Sequence, residues 1–207
     1  MGRPKEHDEE TAQALLKAGE ELLGKGGVPA ISVRAVVDRA GTTTRAVYAL
    51  FGSKAGLVEA IAARGYLLLA DSVNALPRTD DPRADLVDVG GVFRAFAIGH
   101  PALFRLTFER AQAEVFSSDR VRQAAVAAYE ALIDLIERAQ ESGDVDPSRA
   151  PDEIAYMIHS VCQGLAGSEL AALRPPIGAG MWLRLGDFDR SKGWETVLNA
   201  VVDGLAP

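Results

Sequence analysis

The stretch ISVRAVVDRAGTTTRAVYALFGSK, residues 31–54, decides how the rest of the chain is read. Val33, Val36, Val37 and Ala40 recur at i, i+3, i+4 and i+7, which is one apolar stripe on a short helix. Ser32 stands just ahead of that stripe, where a hydroxyl caps free backbone N–H groups. Gly41 ends the helix because it enters the left-handed region at no steric cost. A second helix follows at once. Val47, Leu50 and Phe51 form its inner face and leave Thr43, Thr44, Arg45, Tyr48 and Ala49 pointing outward. Two short helices around a glycine turn, the second carrying hydroxyls and an arginine outside, describe a helix-turn-helix that offers its second helix to a DNA major groove.

Ala40-Gly41, Val47-Tyr48, Phe51 and Ser53-Lys54 fall at the intervals of a known DNA-binding signature. From about Thr11 to Leu57 the chain resembles the tetracycline-repressor (TetR) type regulators. Ala49, Leu50 and Gly52 depart from that pattern, standing where the family often has His, Tyr and Pro, and bear on which DNA sequence is read more than on the fold. The segment HPALFRLTF, residues 100–108, resembles the regulatory domain of one TetR subgroup. The resemblance implies a DNA-binding headpiece, a regulatory helical bundle, and a homodimer in which the last two long helices of each copy pair as an intersubunit four-helix bundle.

Composition is compatible with this. A chain of 207 residues holds one well-cored domain, or a small one joined to a larger one. Its net charge of −7 is unevenly spread. Residues 1–55 hold eight basic and seven acidic groups, +1, and the remainder fourteen and twenty-two, −8. Within residues 32–54, Arg34, Arg39, Arg45 and Lys54 face only Asp38. Phosphate contact needs cations on the docking face, not a basic protein overall. No apolar run approaches the roughly 20 residues that span a bilayer, so no membrane partner is expected. MGRPKEHDEE lacks the apolar core of a secretory signal, and the single cysteine, Cys162, fits a reducing cytoplasm. The three histidines have no zinc spacing, and no G-x-S-x-G elbow or phosphate-cradling glycine loop is present. Neither an enzyme, a metal nor a cofactor is expected.

Taken in order, the chain reads as all-α, with about nine helices: a headpiece over residues 1–54, then a ligand-binding and dimerisation domain over 55–207. Residues 1–6 read as an unstructured tail, whose Arg3 and Lys5 either reach the adjacent minor groove or only solvate it. Thr11, Leu15, Ala18 and Leu22 mark a first helix from His7 to Leu23. Ser53 can cap a helix from about Lys54 to Leu76, and Lys54 at its start suits a bound phosphate. A loop follows from Pro77 to Pro82. Leu86, Val89, Phe93 and Phe96 share the next face until His100-Pro101, and Phe104, Phe108, Ala111 and Val115 form a short successor. Further helices run from Val121 to Gly143, from Asp152 to Leu173 and from Lys192 to Leu205, with a loop at Arg174–Gly180.

The candidate contacts to double-stranded DNA are therefore Arg3, Lys5, Ser32, Thr42, Thr43, Thr44, Arg45, Tyr48 and Lys54, on a near-palindromic operator. Phe93, Phe96, Phe104, Phe108, Tyr129, Tyr156, His159, Cys162 and Gln163 either fill the core of the second domain or line a cavity for a small apolar inducer. Gly164, Gly167 and Ala171, with Trp194, Val197, Leu198, Val201, Val202 and Leu205, are the candidate dimer surface, because small residues allow close helix approach and the last stripe is wide. The function these features imply is a ligand-relieved transcriptional repressor. An alternative is a protein-interaction bundle with a vestigial headpiece.

Overall fold

The computed structural model describes residues 3–109, 118–172 and 189–207, at 3–7 and 172 the backbone only. Among these the chain is all-α. The helices are α1 (Arg3–Gly26), α2 (Val33–Ala40), α3 (Thr44–Phe51), α4 (Lys54–Asn74), α5 (Pro82–Gly99), α6 (Pro101–Phe104), α7 (Asp119–Ser142), α8 (Pro151–Ala172) and α9 (Arg190–Asp203). A 3-10 turn at Val28–Ala30 precedes α2, and a π turn at Arg105–Glu109 extends α6. No single described helix is long and apolar enough to cross a membrane. The expected tail is a correction: α1 begins at Arg3, since Pro4 is tolerated in a first helical turn and the acidic run after it suits a helix N-terminus. Of the expected successor helix at 104–115, Phe104 is the last residue of α6 and Arg105–Glu109 are the π turn. Ala111, Val115, Leu173 and the Arg174–Gly180 loop lie outside the described residues.

The chain divides into two compact units, Met1–Leu67 with Pro101–Ala125, and Leu68–His100 with Val126–Pro207. In the first, Leu15 and Ala18 of α1, Val36 and Val37 of α2, Val47 of α3, and Leu57 and Ile61 of α4 are buried together. Gly19 lets α1 approach α4, because a Cβ there would collide with the Ile61 side chain. The π turn belongs to this unit. Tyr66 donates its hydroxyl to the Thr107 carbonyl at 2.9 Å and meets the Phe108 ring edge-on at 5.3 Å.

In the second unit α5 packs between α8 and α9. Pro82 starts α5 rather than ending a loop, with Asp81 capping Ala84 N–H at 2.9 Å, a position where proline loses no bond. Gly90 of α5 sits where a Cβ would press on Leu198 of α9 at 2.8 Å. Buried Glu169 of α8 accepts from Arg94 Nε at 2.9 Å, Arg94 Nη2 at 2.7 Å and the Trp194 indole at 3.0 Å, tying the three helices together. Buried Asp85 accepts from the Thr79 N–H at 2.9 Å and hydroxyl at 2.6 Å, and from Arg138.

Candidate nucleic-acid interface

Three hydroxyl caps and three glycines shape the α2–α3–α4 segment. Ser32 Oγ accepts from Ala35 N–H at 3.1 Å and fixes the start of α2. Gly41 closes it at φ 67° and ψ 32°, and the next N–H, of Thr42, returns to the Val37 carbonyl at 3.1 Å. Both features follow the sequence reading. That reading places Thr43 only on the outer face, yet its Oγ1 accepts from Ala46 N–H at 3.3 Å, so it is the cap of α3. A threonine immediately before a helix is the signal for that role. Ser53 Oγ accepts from Gly56 N–H at 2.9 Å and places Lys54 as the first residue of α4. Gly56 is required there, because a Cβ would run into the Phe51 carbonyl oxygen.

Gly52 stands at φ 74°, which proline, locked near −65°, cannot reach. The turn between α3 and α4 is therefore one that the proline implied by the resemblance could not form. The two helix axes meet there at 66°.

Around α3, Val47 is fully buried, Leu50 and Phe51 are half-buried, and Thr44, Arg45, Tyr48 and Ala49 are exposed. Tyr48 is 55% exposed, a large ring left in solvent by its own chain. The cations separate into two kinds. Arg39 is paired with Glu21 of α1, and Arg34 lies 3.9 Å from Asp38. Arg45 and Lys54 are exposed and make no ion pair among the described residues. The free positive charge thus sits beside the hydroxyl and aromatic groups of α3. Arg3 and Lys5 fall at the start of α1, with side chains outside the described part.

Residues 15–61 match the bacterial regulatory proteins of the tetR family, and residues 86–177 match a tetracyclin repressor-like C-terminal domain. The chain belongs to the tetR family. None of the curated proteins matches it. Among solved structures it is similar to a protein of unknown function from Rhodococcus sp. RHA1, with TM-score 0.76, 22% identity, and 95% of this chain and 96% of that one covered. It is also similar to PfmR, a TetR family transcriptional regulator from Thermus thermophilus (TM-score 0.63, 15% identity, 93% and 99% covered). A third is the fatty acid degradation regulator FadR from Bacillus halodurans (TM-score 0.73, 12% identity, 94% and 96% covered). At these identities the likeness shows the fold. TetR-family proteins are transcription regulators, not enzymes.

The nine inducer-site candidates of this TetR-family chain fall in both compact units. Phe104 and Phe108 belong to the first unit, their rings 5.5 Å apart, and the other seven belong to the second. There Phe93 meets His159 edge-on at 5.8 Å, and Phe96 is buried. Burial pushes the His159 imidazole below its ordinary pKa and the Cys162 thiol up to about 12, so Cys162 is not a thiolate near neutrality. Gln163 is half-buried, and Tyr129 donates its hydroxyl to the Asp152 carbonyl at 2.8 Å. Tyr156, expected to face inward, is 68% exposed. Ile154, Ile158 and Cys162 set the buried face of α8, and Tyr156 lies roughly 200° around the helix from Ile154.

The dimer candidates divide likewise. Trp194, Leu198, Val202 and Leu205 are buried within the single chain, and Leu205 lies past the end of α9. The wide stripe on α9 is thus largely covered by α5 and α8 of the same copy. Val197, Val201 and Gly167 are half-buried. Gly164 and Ala171 are exposed, on the side of α8 that also carries Tyr156 and Met157. Sequence reasoning did not place Tyr156 or Met157 on this side; the absence of any charge between Ile154 and Ser168 was the available signal.

Proposed function

We propose that this TetR-family regulator is a homodimeric, cytoplasmic repressor that binds a near-palindromic operator and leaves it when a small apolar or aromatic ligand binds. Residues 1–54 would carry the DNA contacts and residues 55–207 the ligand and dimer sites. The observation that carries the DNA reading is the outward row of Thr44, Arg45 and Tyr48 beside Lys54. Among the described residues these four side chains have no partner in their own chain. Groups left unpaired in that arrangement match what a phosphate backbone and base edges take up. Ser32 and Thr43 serve as caps, and each keeps a hydroxyl proton that a phosphate oxygen can accept.

Support for a ligand comes from Phe93, Phe96, His159 and Gln163 in the second unit, an apolar set with few polar ends. Support for the dimer comes from the outer side of α8 beyond Glu153, uncharged from Tyr156 to Ala171, with Tyr156, Met157 and Gly164 in solvent. A monomer rarely leaves such a side bare.

The test is a mobility shift with the DNA that precedes the chain's own coding region. A specific shift is expected, weakened in Arg45→Ala by about 1–3 kcal/mol if Arg45 reads a guanine edge. No shift with any flanking DNA would favour the interaction-module reading. Calorimetry with aromatic acids and phenols, with and without operator, tests the ligand. Ligand and operator should weaken each other by one and the same factor, typically about 1–3 kcal/mol.

A further inference from the structure

Ala49 occupies the middle of the exposed side of α3, one turn beyond Arg45 and next to Tyr48, and its side chain is in solvent. We infer that Ala49 reads a thymine methyl group, so that each operator half-site places a thymine within about three base pairs of a guanine contacted by Arg45. This rests on the DNA-binding reading above.

The two side chains differ in what they can recognise. An alanine methyl neither donates nor accepts a hydrogen bond. Laid over the N7 of a purine, or over the amino group of cytosine or adenine, it would strip water from a polar edge and return nothing. Thymine alone presents an apolar group, its C5-methyl, on the major-groove floor. Arg45 is exposed and unpaired, and its planar fork of donors matches the O6 and N7 of guanine.

Helix geometry then sets the spacing. Four residues advance about 6 Å along a helix and turn it only about 40°, so Arg45 and Ala49 share one line along α3. With roughly 3.4 Å per base-pair step, the two contacts fall about two steps apart. Arginine reach widens this to one to three. The side facing the groove is fixed by the buried Val47 and by half-buried Leu50 and Phe51 opposite. The start of α3 is fixed by the Thr43 cap and its end by Gly52. Ala49 is thus a specificity residue held by the fold.

The experiment selects binding sequences from a random duplex pool with the full chain and with Arg45→Ala, Ala49→Gly and Ala49→Ser. The unaltered chain should enrich half-sites holding G and T within three base pairs. Arg45→Ala should lose the G and keep the T. The two Ala49 variants should keep the G and lose the preference for T. A second arm alters only the DNA: deoxyuridine in place of that thymine in one half-site removes one methyl and should weaken the unaltered chain about fourfold. The same replacement should leave Ala49→Gly unaffected. Enrichment of the same thymine by Ala49→Gly, or indifference of the unaltered chain to deoxyuridine, would overturn the inference. Failure of the unaltered chain to enrich any sequence would overturn the DNA-binding reading itself, and this one with it.

Discussion

Replacing Lys54 with alanine tests one proposed phosphate contact. Lys54 is exposed, opens α4, and has no ion pair among the described residues, so the free protein loses little when it goes. Exposed substitutions of this kind change stability by less than about 0.5 kcal/mol. The effect belongs to the complex. Each neutralised phosphate contributes about 0.9 to the fall of log affinity with log salt. On the proposed two-fold operator, two headpieces would lose two such contacts, so the slope should flatten by about 1.8. Between roughly 50 and 200 mM salt, a fourfold change, the unaltered protein should therefore lose about 12-fold more affinity than the variant. Fluorescence anisotropy of a labelled operator across a salt series measures both slopes, and the thermal midpoint of free protein serves as control. Parallel lines would remove Lys54 from the phosphate contacts. A flattening of only about 0.9 would mean that one headpiece engages, and would refute the two-fold arrangement.

Three other outcomes follow from the same structure. Gly164→Glu adds a side chain where a Cβ meets nothing within 4 Å, so the fold should hold while sedimentation shows monomers without operator affinity; a stable dimer would move the interface off α8. Glu169→Ala strands Arg94 and the Trp194 N–H and should cost about 3 kcal/mol in urea unfolding, while Glu169→Leu with Arg94→Met should lose much less. Single effects that simply add would mean that the pair is not coupled. Burial alone would raise the Asp85 carboxyl, but the Thr79 and Arg138 bonds outweigh it and hold the group below its ordinary 3.8. With the folded value depressed, that stabilisation is present above about pH 3.8 and disappears as pH falls through the folded value. Stability should thus fall on acidification less steeply in Asp85→Asn than in the unaltered chain; equal acid limbs would contradict this.

The headpiece is legible in the order of residues alone. Val36, Val37 and Val47 fall on short-range helical periods, and Ser32, Gly41 and Ser53 cap or end helices through bonds to residues at most four away. Such signals are local, so a linear pattern carries them. Thr43 is the exception, because a hydroxyl that caps and one that faces DNA look alike in one dimension. What each apolar or charged stripe faces is a matter of packing. Trp194, Leu198 and Val202 have the spacing of an exposed interface, yet α5 and α8 of the same chain already cover them. Tyr156 has the composition of a core residue and stands in solvent, because the phase of α8 is set by Ile154 and Ile158. Arg39 and Arg45 read as equal cations until α1 brings Glu21 to the first and leaves the second free. Periodicity records that a face is apolar or charged; only packing between segments far apart in the chain determines which neighbour takes it up.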